Sequence, residues 1–139
     1  MGEIATFLLP MVFYSLSALH VAWALGITWG FNHSLPTDEH GNRVINPKKR
    51  DSLVVGIGLL LFGLYYHFIR MGLSILPSQV DAIMGWLIPS IFLFRAMGDF
   101  RYVGVFKKIR QTTFGKTDTY FIIPLCLLLA ILGYSVAVS

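Results

Sequence analysis

Four apolar segments, each close to the length of a membrane span, constrain the fold of this chain more than any other feature. They cover about residues 5–30, 52–75, 80–98 and 119–138. A helix needs about 20 mainly apolar residues to cross the hydrocarbon core of a bilayer. Only 13% of the residues are charged, against roughly a quarter in ordinary soluble domains. The sequence therefore predicts a single all-α domain over residues 1–139, a polytopic bundle of four transmembrane helices.

The basic residues predict which ends of these helices face the cytoplasm. Nine of the eleven lysine and arginine residues lie in segments 31–51 and 99–118, which connect the first helix to the second and the third to the fourth. Cytoplasmic loops of membrane proteins are enriched in these residues. We therefore predict that both loops are cytoplasmic and that both termini lie outside. The net charge of +4 resides in these loops, so it indicates membrane topology and no nucleic-acid partner.

The second basic loop also has an amphipathic pattern. Such a pattern is typical of a segment that lies on anionic lipid headgroups, although a topology signal with apolar neighbours would look the same. Arg101 fits a topology signal. Apolar side chains recur every third residue and basic ones fall between them: Phe100, Val103, Phe106 and Ile109, with Arg101, Lys107, Lys108 and Arg110.

The first apolar segment carries small residues at every fourth position. Small residues on one helix face allow a second helix to approach closely, so this ridge predicts an interface. His20 lies roughly opposite, near Trp23, at 100° per residue. The ridge consists of Ala18, Ala22, Gly26 and Gly30.

Ionisable side chains within the apolar segments are the candidate functional residues, because charge inside a membrane is costly. His20 is a candidate general acid or base or a ligand-binding group; alternatively it is a neutral histidine that bonds across the bundle. Arg95 and Asp99 are four residues apart, a spacing at which two side chains on a helix can meet. This pair either steadies a binding site or clamps the end of the third helix.

No cofactor and no metal site is predicted. A haem held by two histidines would need both at one depth, but His20 and His67 differ in depth by roughly 9 Å at 1.5 Å per residue. The single cysteine, Cys126, provides no paired-cysteine motif. The histidine and acidic residues of the first polar loop match no strong metal-binding spacing.

Several stretches resemble a family of small bacterial four-helix integral membrane proteins known as a domain of unknown function. The resemblance covers nearly the whole chain and implies a multi-pass protein of the bacterial inner membrane, with both termini periplasmic or extracellular by the charge pattern. It implies no reaction. It includes His20, Trp23, Arg95, Asp99 and Arg101 among the motif residues. The matching stretches are HVAWALGITWG (20–30), LPT, INPKKRD, RAMGDFRYVGVFKK (95–108) and TDTYFIIPLCLLL (117–129).

These observations favour a protein that binds a small lipophilic or amphipathic molecule, such as a lipid, an isoprenoid or a quinone-like compound. The predicted pocket is lined by His20, Trp23 and Arg95, with Asp99 holding Arg95. A lipid-modifying enzyme would use the same pocket, with His20 as general acid or base. The alternatives are an accessory or assembly subunit of a larger membrane complex, with a membrane-protein partner, and a homo-oligomeric transporter.

Overall fold

The computed structural model of the chain describes residues 2–139 and consists of four long helices. Helix α1 spans Gly2–Ala24, α2 spans Lys49–Arg70, α3 spans Ser78–Met97 and α4 spans Thr113–Ala137. All four are long and apolar enough to cross a membrane. The described residues form no strand. The prediction of an all-α fold with four potential membrane spans is confirmed.

The helices form two hairpins that pack against each other. α1 lies along α2, α3 lies along α4, and the hairpins meet mainly where α1 contacts α4. The ring of Phe13 lies at the centre of the core. It stacks on the ring of Tyr66, with centroids 5.8 Å apart, and is tilted against the ring of Phe92 at 5.3 Å. These aromatic contacts join α1 to both α2 and α3, so they tie the two hairpins together.

The two long connections, residues 25–48 and 98–112, lie at the same end of the bundle, which we call the loop face. There the short 3₁₀ turn Asn32–Ser34 contacts the beginning of α4. The opposite end holds the short turn 71–77 and both chain ends. A Cβ placed on Gly2 would lie 3.5 Å from the Cβ of Ser139, so the first and last helices finish side by side.

Helix α1 ends at Ala24, earlier than the predicted boundary near residue 30. The N–H of Gly26 donates to the Trp23 carbonyl and the N–H of Ile27 donates to the Ala22 carbonyl. Gly26 has a φ of +98°. Together these features form a Schellman motif, which ends a helix at a position with left-handed backbone conformation, where glycine is favoured. Gly26 therefore ends the helix and does not extend its surface.

The predicted ridge of small residues on the first helix is wrong as a consequence. Gly26 and Gly30 lie in the loop, and Ala18 is exposed while Ala22 is half-buried. The close approach instead uses α2: the hydroxyl of Ser17 donates to the Gly56 carbonyl at 2.7 Å. Even within the helix the four-residue spacing does not mark the packed face, because Ala18 is exposed.

Helix α2 is also displaced from its predicted bounds of 52–75. It begins at Lys49, because the Asp51 carboxylate accepts a hydrogen bond from the Lys48 N–H at 2.8 Å and caps the first turn. It ends at Arg70, since residues 71–77 form the turn that leads into α3. α3 differs little from its predicted range.

Helix α4 begins at Thr113, well before the predicted residue 119, and contains one π-helical turn, Asp118–Ile122. Pro124 has no N–H to donate to the carbonyl four residues before it, and its ring would clash there. The N–H of Ile123 bonds instead to the Asp118 carbonyl, five residues earlier. Single π turns of this kind frequently mark functional sites.

Candidate functional site

A cavity of about 430 Å³ lies between the two hairpins, toward the loop face. His20 and Trp23 of α1 and Arg95 of α3 all line it. Its volume falls within the roughly 300–1,000 Å³ of known ligand pockets. Three of the four predicted ligand-binding residues therefore share one cavity. Most of the remaining wall is apolar and includes Leu16, Leu19, Leu59, Phe92, Phe121, Ile122, Leu125 and Leu129.

The imidazole of His20 is oriented by its own helix. Its Nδ1 lies 2.8 Å from the Leu16 carbonyl oxygen. Because a carbonyl can only accept, Nδ1 carries the hydrogen in this contact, and Nε2 is the acceptor of the neutral ring. The ring packs 4.7 Å from that of Trp23, whose Nε1 donates to the Trp29 carbonyl at 2.7 Å. The loop that follows α1 thus fixes the Trp23 side of the cavity.

Arg95 pairs with Asp118, not with the predicted Asp99. Its Nη2 donates to Asp118 Oδ1 at 2.9 Å, and the Asp118 side chain is 0% exposed. The prediction assumed that the third helix continues past residue 99. It ends at Met97 instead, and Gly98 has a φ of +84°. Asp99 has therefore left the helix, so the i, i+4 geometry does not apply to it.

Lys107 is the second cation on Asp118. Its Nζ donates to Asp118 Oδ2 at 3.0 Å, to Thr119 Oγ1 at 2.7 Å and to the Gly104 carbonyl at 3.2 Å. Only 3% of Lys107 is exposed, although the sequence suggested a lysine on the membrane surface. Its three ammonium hydrogens all have partners, which is what allows this charge to be buried.

Sequence reasoning missed Lys107 and Asp118 as site residues. A local signal existed for Asp118, because it is an acid directly before a long apolar segment, where charge is costly. No such signal existed for Lys107, which lies among other basic residues of a polar loop. Together with Arg95 these residues form a group that we call the Asp118 cluster.

Asp99 has a different role, which is to close the loop after α3. Its Oδ1 accepts hydrogen bonds from the backbone N–H groups of Arg101, Tyr102 and Val103 at 2.7–2.9 Å. Partial burial alone would raise the pKa of Asp99, but these backbone bonds outweigh it and hold the pKa below its usual value. Asp99 does not line the cavity.

Two glycines let this loop fold back on itself. A Cβ on Gly98 would collide with the Val103 carbonyl, and a Cβ on Gly104 would collide with the Met97 carbonyl. Where the two backbone segments cross, the N–H of Gly104 donates a hydrogen bond to Asp118 Oδ2 at 2.9 Å. The stretch GDFRYVG (98–104) is therefore a compact loop that supplies one donor to the Asp118 cluster.

The rest of the basic loop lies outside the cavity. Residues 98–112 contain no helix. Phe100 and Phe106 are exposed, and their rings stack 5.7 Å apart. Arg101 is also exposed, with its guanidinium 5.1 Å from the Tyr102 ring centre. An open groove of about 820 Å³ separates this loop from the first one and is lined by His33, Glu39, His40, Arg43, Lys108 and Arg110, among others.

The relationship to known proteins rests on a family model. Comparisons with curated proteins and with solved structures gave no significant match. The model described as "Protein of unknown function (DUF3995)" matches residues 13–133. This range includes every residue that lines the cavity and the whole Asp118 cluster. The resemblance to a domain of unknown function is confirmed, and the chain belongs to the family Protein of unknown function (DUF3995).

Proposed function

We propose that this protein binds a small lipophilic or amphipathic molecule within the membrane, in the cavity between its two hairpins. The observation that carries the proposal is the convergence of His20, Trp23 and Arg95, from two different helices, on one cavity of about 430 Å³. Ligand pockets are characteristically apolar spaces with a few polar groups that orient the ligand. The wall of this cavity has that composition.

Different parts of the cavity wall suit the apolar and the polar end of a bound ligand. Apolar side chains such as Phe92, Phe121 and Leu125 would cover a hydrocarbon portion, at roughly 25 cal/mol for each Å² removed from water. Arg95 would donate to the polar end, and His20 Nε2 would accept from it. The ligand classes that suit this division are lipids, isoprenoids and quinone-like compounds.

Binding is proposed ahead of catalysis because, in the described part of the chain, no ionisable side chain forms a hydrogen bond with His20. Among residues 2–139, its one hydrogen-bond partner is the Leu16 carbonyl. Acid–base catalysis also needs a group placed to receive or return the proton. A lipid-modifying reaction would have His20 as its acid or base, with the partner supplied by the substrate.

The proposal includes an orientation in the membrane. Segments 31–51 and 99–118, at the loop face, carry nine of the eleven lysine and arginine residues, and loops enriched in these residues face the cytoplasm. We place both termini on the periplasmic or extracellular side of a bacterial inner membrane. The exposed Lys108, Arg110 and Lys116 would then contact anionic headgroups.

Native mass spectrometry of protein extracted gently from its own membrane tests the proposal. We expect a retained small molecule on the wild-type protein. Leu125→Trp should remove it, because Leu125 lines the cavity and a larger side chain would fill it. Leu128→Trp is the matched control: Leu128 lies on the same helix and is 46% exposed, outside the cavity.

Two outcomes would contradict the proposal. One is a bound molecule that both variants retain equally, which would place it elsewhere on the protein. The other is a stoichiometric protein partner without any small molecule, which would favour an accessory subunit and make the Asp118 cluster a structural clamp.

A further inference from the structure

We infer that the ligand is an anionic amphiphile whose phosphate or carboxylate group binds Arg95. This inference rests on the proposed function, since it specifies the polar end of a ligand in the same cavity. It is drawn from an unpaired donor, an excess of positive charge and an apolar wall, all at one place in the structure.

The unpaired donor is Nη1 of Arg95. Nη2 of the same guanidinium donates to Asp118 Oδ1 at 2.9 Å. Nη1 is buried and has no hydrogen-bond partner among residues 2–139. A buried donor left unpaired is costly, and the guanidinium fork is suited to carboxylate and phosphate oxygens. Arg95 lines the cavity and its side chain is 33% exposed, so a small rotation of the guanidinium would bring Nη1 to an acceptor on a ligand there.

The excess of positive charge comes from the Asp118 cluster. Two cations, Arg95 and Lys107, share the single carboxylate of Asp118. Both carboxylate oxygens are already occupied, Oδ1 by Arg95 and Oδ2 by Lys107 and the Gly104 N–H. The cluster therefore carries one positive charge without a counterion beside a largely apolar space, where charge interactions are strong. An anionic ligand would neutralise this charge and a cationic ligand would be repelled.

Among the described residues, Asp51 is the one carboxylate that lines this cavity, since Asp118 is fully buried, and the contacts of Asp51 engage it elsewhere. Its side chain is 54% exposed and lies 3.8 Å from the Arg50 guanidinium. It also accepts the capping bond from the Lys48 N–H at 2.8 Å. Asp51 thus belongs to the beginning of α2 and leaves Arg95 without a second carboxylate.

The apolar wall indicates an amphiphile from the membrane and not a free anion. Phe121 and Leu125 of α4 and Phe92 of α3 line the same cavity as Arg95. A hydrocarbon chain attached to the anionic group would bury its surface against these side chains. Inorganic phosphate would gain the charge interaction alone and would bind far more weakly.

Quenching of Trp23 fluorescence by brominated amphiphiles tests this inference. The full chain in lipid nanodiscs would carry Trp29→Phe and Trp86→Phe, so that Trp23, in the cavity wall, is its single tryptophan. The probes are a brominated long-chain alkyl phosphate and the alcohol and amine of the same chain. We expect saturable quenching by the alkyl phosphate at a concentration at least about tenfold below that of the alcohol, because a charged hydrogen bond is gained.

The matched variants are Arg95→Gln and Arg101→Gln. Arg95→Gln should abolish the preference for the phosphate. Arg101→Gln should preserve it, since Arg101 is an exposed arginine at the same end of the bundle and does not line the cavity. Where Arg95→Gln fails to fold, the comparison of the three probes on the parent protein decides the question by itself.

The possible failures are distinguishable. Saturable quenching of equal strength by the phosphate and the alcohol, or stronger quenching by the amine, would overturn the anionic head group and keep the cavity as a binding site. Displacement of the alkyl phosphate by similar concentrations of inorganic phosphate would overturn the amphiphile. Absence of saturable quenching by all three probes would overturn the proposed function together with this inference.

Discussion

The loop face and the opposite end of the bundle both contain charged side chains, but they use them differently. At the loop face, the buried Asp118 joins α4 to Arg95 of α3 and to Lys107 of the intervening loop. At the opposite end, Arg70 lies 4.6 Å from the ring centre of Phe7, and both side chains are exposed. The first arrangement holds two helices and a loop together beside the cavity, whereas the second is a contact between two exposed side chains.

The largest expected effect is therefore the loss of the Asp118 charge. Asp118→Asn leaves two cations near one another without a buried anion, and we expect a loss of about 3–5 kcal/mol in the free energy of unfolding. Arg70→Ala, the control at the opposite end, should cost only about 0.5–1 kcal/mol, as expected for an exposed cation–π contact. Denaturation in detergent micelles, followed by circular dichroism, measures both. Equal costs for the two variants would show that the two ends are not different in kind.

A second effect, of intermediate size, distinguishes two reasons why a position at the loop face can require glycine. One is the close approach of another backbone segment, and the other is a positive φ. Gly104 and Gly41 both have a positive φ, +87° and +81° respectively. A Cβ added to Gly104 would collide with the Met97 carbonyl, whereas a Cβ added to Gly41 would have no atom within 4 Å. We expect Gly104→Ala to cost about 1–3 kcal/mol more than Gly41→Ala, as for other steric overpacking. The same denaturation experiment measures the difference. A similar cost at both positions would show that the positive φ, and not the crossing, requires glycine.

The smallest effect concerns Asp99, the acid that the sequence had paired with Arg95. Its lowered pKa means that the ionised carboxylate stabilises the loop above its unfolded pKa of about 3.9. This contribution is lost as the pH falls through the lower pKa of the folded state. Asp99→Asn should cost less than about 1 kcal/mol at neutral pH, because the group is largely exposed. Its unfolding midpoint should also fall less than that of the wild type between neutral and acid pH. A variant with an unchanged acid dependence would contradict the assignment of that carboxylate to the loop.

The number and type of the helices could be predicted well from the sequence, because they depend on long apolar segments. Contacts near helix ends were predicted poorly, because they depend on the residue at which each helix ends. Four apolar segments are enough to predict four helices, because few other structures form all the backbone hydrogen bonds of a segment that crosses a membrane. His20 and Arg95 were found because each is an ionisable group in an apolar span, and Trp23 because it lies near His20 on the same helix and within a stretch that resembles the family. Their meeting in one cavity follows from the packing of two hairpins, which no local pattern in the sequence specifies.

The errors share one physical cause. Periodicity assigns residues to a helix face only while the helix continues, and Gly26 and Gly98 each end a helix. The predicted ridge through Gly26 and the predicted pair of Arg95 with Asp99 both crossed such an end. The true partner of Arg95 is Asp118, which lies on another helix, so no local spacing pointed to it.

The π turn in α4 has a consequence for how this helix can change. An extra residue in one turn shifts the angular phase of everything after it by about 100° relative to an unbroken α-helix. Asp118, at the start of the turn, faces the cations, while Leu125 and Leu129 beyond it face the cavity. Deleting one residue within 119–122 would rotate the part of the helix after the deletion by about 100° relative to Asp118 and put these two faces out of phase. The helix could then satisfy the ion pairs or line the cavity, but not both.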